Sequence, residues 1–154
     1  VEFCAFTPYT YLSILMLMNQ LKIQYPFEDT GKWIGEYRFR KTRIWDSARR
    51  LERNMYRPGQ IQCLSFGNTK PMQLGRAGCI LTDDLETYQT LSKMRSDGRD
   101  LRISPWTDQK IFKVGFHYCP TLEVCEKGIS LLPYCGGEPM VVSYPDCREI
   151  SIIV

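Results

Sequence analysis

A chain of 154 residues with 44% hydrophobic and 24% charged side chains can bury a sizeable core as one globular domain, and its composition excludes a disordered or fibrous protein. The net charge of +3 is too mild to mark a nucleic-acid-binding protein by itself. Basic residues do cluster between Arg38 and Arg57, but Trp45, Asp46, Leu51 and Glu52 interrupt the run, so it reads as a solvated face or a patch for an anionic ligand, with nucleic acid not an expected partner.

The cysteines are Cys4, Cys63, Cys79, Cys119, Cys125, Cys135 and Cys147. Their odd number and the lack of paired spacing argue against a disulfide framework and for a reducing, cytoplasmic compartment. With a single histidine and no CxxC spacing, the group His117, Cys119, Cys125 and Cys135 does not make a zinc site, and no metal is expected.

In chain order, Val1 to Phe6 suits a short strand. Thr7-Pro8 then reads as the cap and first turn of a helix running to about Leu21. Its apolar stretch is too short for a membrane span and lacks the features of a signal peptide. The opening Val, in place of Met, reads as a processed product or a piece of a longer chain. Tyr25-Pro26 breaks the helical pattern. The spacing of Trp33, Ile34 and Tyr37 then predicts a second helix from Glu28 to Arg38.

Thr42 to Asp46 follows as a short strand with a carboxylate at its carboxyl end. In open α/β sheets ligands collect there, so Asp46 is a candidate for site chemistry. It could equally cap a following helix, Ser47 to Met55. A turn at Arg57-Pro58-Gly59 leads into an apolar strand, Ile61 to Ser65. Next comes a glycine-containing loop that carries Lys70, then a second apolar strand, Cys79 to Thr82. Burial disfavours an ammonium group, so a lysine between two such strands can become a nucleophile, although most lysines in such loops are ordinary surface residues.

Asp83, with Glu86 three residues on, reads as the capping box of a helix to about Ser96, stopped by Asp97-Gly98. Arg99 to Lys110 is an exposed excursion and Lys113 to Tyr118 is extended. A further helix runs from Thr121 to Pro133, and two β-rich runs, Met140 to Tyr144 and Glu149 to Val154, close the chain.

Asp46, Ser65 and Lys70 together suit pyridoxal phosphate, which needs an amine to hold it, a carboxylate for its ring nitrogen and donors for its phosphate. Asp46-Ser47-Ala48, then Ser65-Phe66 with Lys70 five residues after the serine, then Gly78 to Asp83, and Gly115-Phe116-His117-Tyr118 occur in that order. From Thr42 to Leu132 the sequence resembles the DegT/DnrJ/EryC1/StrS sugar aminotransferases, fold-type I enzymes dependent on pyridoxal phosphate. The family's D-x-A, S-F-x-x-x-K and G-Y-N-Y patterns fall on these positions. Arg49 occupies a place where the family often has His or Gln, and a full member is well over twice this length.

The resemblance implies a single α/β domain over 1–154. Its aminotransferase-like core, 42–132, would be a shortened three-layer αβα sheet, with a β-rich extension over 133–154. By the same resemblance, Lys70 is the Schiff-base lysine and proton shuttle, Asp46 pairs with the pyridinium nitrogen, and Ser65 donates to the phosphate. His117 takes the place of an asparagine that reaches the neighbouring subunit's cofactor in a homodimer. Arg49, in the arginine-rich run, suits an anionic nucleotide-sugar substrate. The activity implied is transfer of an amino group from glutamate to a keto-sugar nucleotide. A degenerate relative that binds or assembles without turnover, or an anion- or nucleic-acid-binding domain with an accidental match, are the alternatives.

Overall fold

The structure, a computed structural model, describes residues 4–141 and 143–152. A four-stranded sheet lies at its centre, in spatial order β1 (Tyr37–Arg38), β2 (Ile44–Asp46), β3 (Ile61–Ser65) and β4 (Gly78–Leu81). β1 and β2 form a hairpin, turned by Lys41 in the left-handed region (φ 64°). β2 and β3 are parallel, and β3 and β4 antiparallel. Three helices, α1 (Leu12–Gln20), α2 (Leu85–Met94) and α3 (Leu122–Leu131), complete an α/β architecture.

The strand alternation gives the sheet two distinct faces, because successive side chains point to opposite sides. Asp46 is in register with Tyr37 on β1 and Cys63 on β3, so these three share one face. Gln62 and Leu64 point to the other, in register with Leu81 and Cys79. α1 contributes Ile14, Leu17 and Met18 to a cavity on the Asp46 face. α3 contributes Val124, Cys125 and Ile129 to an apolar groove on the Leu64 face.

A hydrophobic core cluster is built mostly by the first 39 residues. Phe6, Leu15, Trp33, Tyr37 and Phe39 are buried there with Cys147. Phe6 packs on Tyr25 (ring centroids 4.9 Å), Phe39 (5.3 Å) and Phe27 (5.6 Å). Such tilted and edge-on contacts suit the ring quadrupoles and add to the burial of apolar area.

Several expected elements are replaced, each because its backbone groups are used elsewhere. Residues 28–36 form no helix. Gly31 and Gly35 have φ of 71° and 72°, which breaks helical continuity, and Gly35 receives the amide of Arg49 on its carbonyl (3.2 Å). Trp33 and Tyr37 are buried while Ile34 is exposed, as in irregular and extended chain. Residues 47–55 are likewise not helical. The Arg49 carbonyl accepts from the Met140 amide (3.0 Å), and Asn54 is left-handed (φ 57°).

Thr7 and Pro8 do not start α1. Thr7 is buried, the Pro8 carbonyl accepts from the Cys147 amide (2.9 Å), and the helix begins only after Tyr11. In the expected first strand, Ala5 and Phe6 make isolated bridges to Arg40 and Phe27, and Val1 to Phe3 lie outside the described residues. The cap of α2 is Asp84, which accepts from the Thr87 amide (2.7 Å), rather than Asp83. Asp83 instead accepts from the Gly59 amide.

The two C-terminal runs expected to be β-rich contain no strand among the described residues. Val141 makes an isolated bridge to Ile34, and Cys147–Glu149 is a 3₁₀ turn. Val142, Ile153 and Val154 lie outside the described residues. Among the described residues no helix is long and apolar enough to cross a membrane, and no group of His, Cys, Asp or Glu could hold a metal ion.

Candidate active site

A cavity of about 900 Å³ opens on the Asp46 face of the sheet, at the carboxyl ends of the parallel strands β2 and β3. Asp46 and Ser65 reach it as the last residues of those strands. Lys70 reaches it from the loop after β3, and Arg49 from the segment after β2. The Lys70 loop is folded back on itself. The Leu74 amide donates to the Phe66 carbonyl (2.8 Å), Lys70 N–H to the Gly67 carbonyl (3.0 Å), and Phe66 N–H to the Ala77 carbonyl (2.8 Å).

Asp46 accepts from the Ala48 amide (3.0 Å), an Asx turn with no helix behind it. Its carboxyl group therefore satisfies one local donor and also lines the cavity. Desolvation pushes its pKa above the usual carboxylate range. The Ala48 amide, the Tyr37 hydroxyl and the Lys70 and Arg49 charges act against that rise. Lys70 is shifted down, first by burial and then by the like charge of Arg49, with Asp46 opposing. Among the described residues the Lys70 amine has no hydrogen-bond or ion-pair partner, and the Ser65 hydroxyl has none either. Cys63 faces the same cavity, but burial, with the Asp46 and Cys79 charges, raises its thiol to about 11. Burial thus moves the two groups oppositely, favouring the reactive free amine of Lys70 and disfavouring the thiolate of Cys63.

Arg49 is anchored at one end only. Its guanidinium donates to the Thr69 carbonyl (3.0 Å) and the Tyr144 hydroxyl (3.2 Å), and lies over the Tyr144 ring at 5.6 Å. Its Nε is buried with no partner. Tyr144 sits 95 residues away in sequence, and no local pattern could have paired the two. Tyr37, read from the sequence as part of a helix face, lies beside Asp46 through the β1–β2 register.

His117 is not in this cavity. Its side chain is 85% exposed, and its Nδ1 lies 3.1 Å from Asp97 Oδ2 at the far end of α2. The structure thus brings four of the five candidate residues, Asp46, Arg49, Ser65 and Lys70, to one cavity and leaves the fifth on an outer surface.

Because the charges of Arg49 and Asp46 act on Lys70 with opposite signs, substitutions there should move its reactivity in opposite directions. Below its pKa, the free-amine fraction of Lys70 falls tenfold for each unit by which that pKa rises. Arg49→Gln removes the like charge, raises the Lys70 pKa and should slow its reaction with an amine-selective reagent roughly threefold to tenfold at pH 7.5. Asp46→Asn removes the opposite charge and should speed it by a similar factor. Labelling rate against pH, read by mass spectrometry of the Lys70 peptide, checks both signs; a shift in the same direction for both variants would contradict the assignment.

The sequence model of the DegT/DnrJ/EryC1/StrS aminotransferase family matches residues 48–119, a little under half of the 154-residue chain. The matched segment contains Arg49, Ser65, Lys70 and His117, and Asp46 lies two residues before it. No curated protein and no solved structure gave a match.

Proposed function

We propose that this chain is a partial member of the DegT/DnrJ/EryC1/StrS aminotransferase family, binds pyridoxal 5′-phosphate in the Asp46–Lys70 cavity and transfers an amino group from glutamate to a keto-sugar nucleotide. The observation that carries the reading is the shared cavity wall. A lysine whose amine has no partner, a serine whose hydroxyl has no partner and a half-buried aspartate meet there at the strand ends. The cavity volume falls within the usual range for small-molecule sites, so the residues present fit the group. The reading also takes the sheet as a shortened form of the family's αβα layering, supported by the cavity and groove that α1 and α3 line on opposite sheet faces.

The cofactor would supply an electron sink for the carbon beside the transferred nitrogen. Lys70 would hold it by its amine and carry a proton at Nζ during transfer. Asp46, as a carboxylate, would favour the protonated ring nitrogen, and Ser65 would donate to the phosphate. Arg49, with a buried Nε that still lacks an acceptor, would receive an anionic portion of the substrate.

A homodimer in a reducing, cytoplasmic compartment accompanies this reading. The His117 side chain is exposed, as are those of Val114 and Tyr118, which leaves this surface open to a second subunit.

Adding pyridoxal phosphate to the purified protein should turn it yellow, and borohydride reduction should leave the cofactor's mass on the Lys70 peptide. Lys70→Ala should lose both signals, with at least a hundredfold loss of any amino-transfer rate. Absence of colour and of the mass increment in the wild type would overturn the proposal. Cofactor capture without amino transfer would support instead the catalytically inert binding module.

A further inference from the structure

We infer that Tyr37, backed by Thr10, is a positioning residue for the Asp46 carboxylate. All three residues lie outside the segment that matches the family. The first 47 residues therefore supply a support for the aspartate that the matched segment does not contain. The importance of the support rests on reading the cavity as a cofactor site, whereas the support itself is argued from the strand register and the Thr10–Tyr37 bond.

Tyr37 and Asp46 face each other directly across the β1–β2 pair, so their side chains share one face at neighbouring positions. Tyr37 is 6% exposed, and its hydroxyl lies 2.7 Å from Thr10 Oγ1, which is also buried. A tyrosine hydroxyl has one proton. Donated to Asp46, it leaves the phenolic oxygen to accept the Thr10 proton, which gives a directed chain from Thr10 through Tyr37 to the carboxylate. The ring is held against Trp33 (4.9 Å) and Phe39 (5.4 Å). Trp33 in turn donates to the Tyr9 carbonyl (2.6 Å), which fixes the backbone next to Thr10.

The other groups that face the pair are Lys70 and Arg49 from the loops, Cys63 from β3, and Tyr144, which acts on Tyr37. The two cations draw the carboxylate toward the cavity. The Ala48 amide holds it at its own backbone turn, and Tyr37 faces it across the β1–β2 pair. Without Tyr37, one local amide would be left to orient it against both cations.

The test is a ¹³C carboxyl NMR titration of the full chain without cofactor, with Asp46→Asn assigning the resonance. A hydrogen bond to the ionised form lowers a pKa, so its removal raises it. Tyr37→Phe keeps the ring and its packing, and should move the Asp46 midpoint up by about one pH unit, a tenfold change in the proton equilibrium. Thr10→Val should move it in the same direction by less. An unmoved midpoint in a folded Tyr37→Phe protein overturns the inference. Should that variant fold poorly, an unmoved midpoint in Thr10→Val overturns it equally.

With pyridoxal phosphate added, the acid limb of the cofactor absorbance should rise in parallel. No absorbance in the wild type would overturn the cofactor reading while leaving the carboxyl titration to decide the role of Tyr37.

Discussion

Glu36→Ala is expected to destabilise the protein by about 3–5 kcal/mol, the range for removing one partner of a buried ion pair. The Glu36 side chain is only 8% exposed and that of Arg50 11%. Glu36 Oε1 accepts from Arg50 Nη1 (2.7 Å) and Arg57 Nη1 (2.7 Å), and Oε2 accepts from the fully buried Ser47 hydroxyl (2.8 Å). Alanine would leave the buried Arg50 guanidinium with Glu52 alone as its counter-charge (Nε–Oε1 3.0 Å, Nη2–Oε2 3.2 Å) and a buried hydroxyl without its acceptor. Arg57 contributes less to the loss, since it is half-exposed and also lies over the Trp45 ring at 5.9 Å.

At about 2–4 °C per kcal/mol for a chain of this size, the melting temperature should fall by roughly 10 °C. A double-mutant cycle separates the causes. In an Arg50→Met background the buried charge is gone, so the further cost of Glu36→Ala should shrink to about 1–2 kcal/mol. Equal costs in both backgrounds would show that the carboxylate acts through something other than Arg50. The cluster also bears on the site, because Ser47 follows Asp46 directly and Arg49 and Arg50 share its backbone turn. Loss of Glu36 should therefore loosen both walls of the cavity.

This cluster shows where the sequence is legible and where it is not. β3, β4, α2 and α3 could be read because their signals are local: apolar runs bounded by glycine and proline, and caps followed by apolar periodicity. Ser65 and Lys70 share one strand and its loop, and Asp46 ends the neighbouring strand, so a motif in one dimension survives as a cluster in three.

Glu36, by contrast, was hidden inside an apparent helix. Trp33, Ile34 and Tyr37 have helical spacing, but Gly31 and Gly35 adopt positive φ and the segment is stitched to residues 49 and 140 instead. The same tertiary demand on Arg49 suppressed the helix expected after Asp46. Tyr37 could be linked to Asp46 only by knowing the register of a two-residue strand, and Arg49 to Tyr144 only by knowing how the chain's end folds back. Partners that depend on register or on distant chain leave no periodic trace.

The second large effect is expected at Gly98, where alanine should cost about 4 kcal/mol or more. α2 ends at Met94, and the chain turns through Asp97 (φ 60°) and Gly98 (φ 76°). A β-carbon on Gly98 would overlap the Lys113 carbonyl oxygen and lie 2.8 Å from its carbon. The opposing segment cannot withdraw easily. The Phe116 amide donates to the Met94 carbonyl (2.6 Å), Asp97 N–H to the Phe116 carbonyl (2.9 Å), and Tyr118 N–H to the Arg95 carbonyl (3.0 Å). Gly115 closes the contact from the other side, where an added β-carbon would lie 2.7 Å from the Asp97 carbonyl carbon.

Gly59 provides the control. It has a similar φ of 79°, but a β-carbon there meets nothing within 4 Å, so Gly59→Ala should cost only the conformational term of about 1–2 kcal/mol. The excess at Gly98 therefore measures steric locking rather than backbone preference. Thermal melting gives the two costs, and amide exchange at Asp97, Phe116 and Tyr118 locates the damage. Comparable losses for the two alanines would contradict the locking argument. The functional consequence separates the two surfaces of the molecule: Gly98→Ala should disturb the segment that presents His117, while reagent labelling of Lys70, held by its own loop after β3, should continue at the wild-type rate.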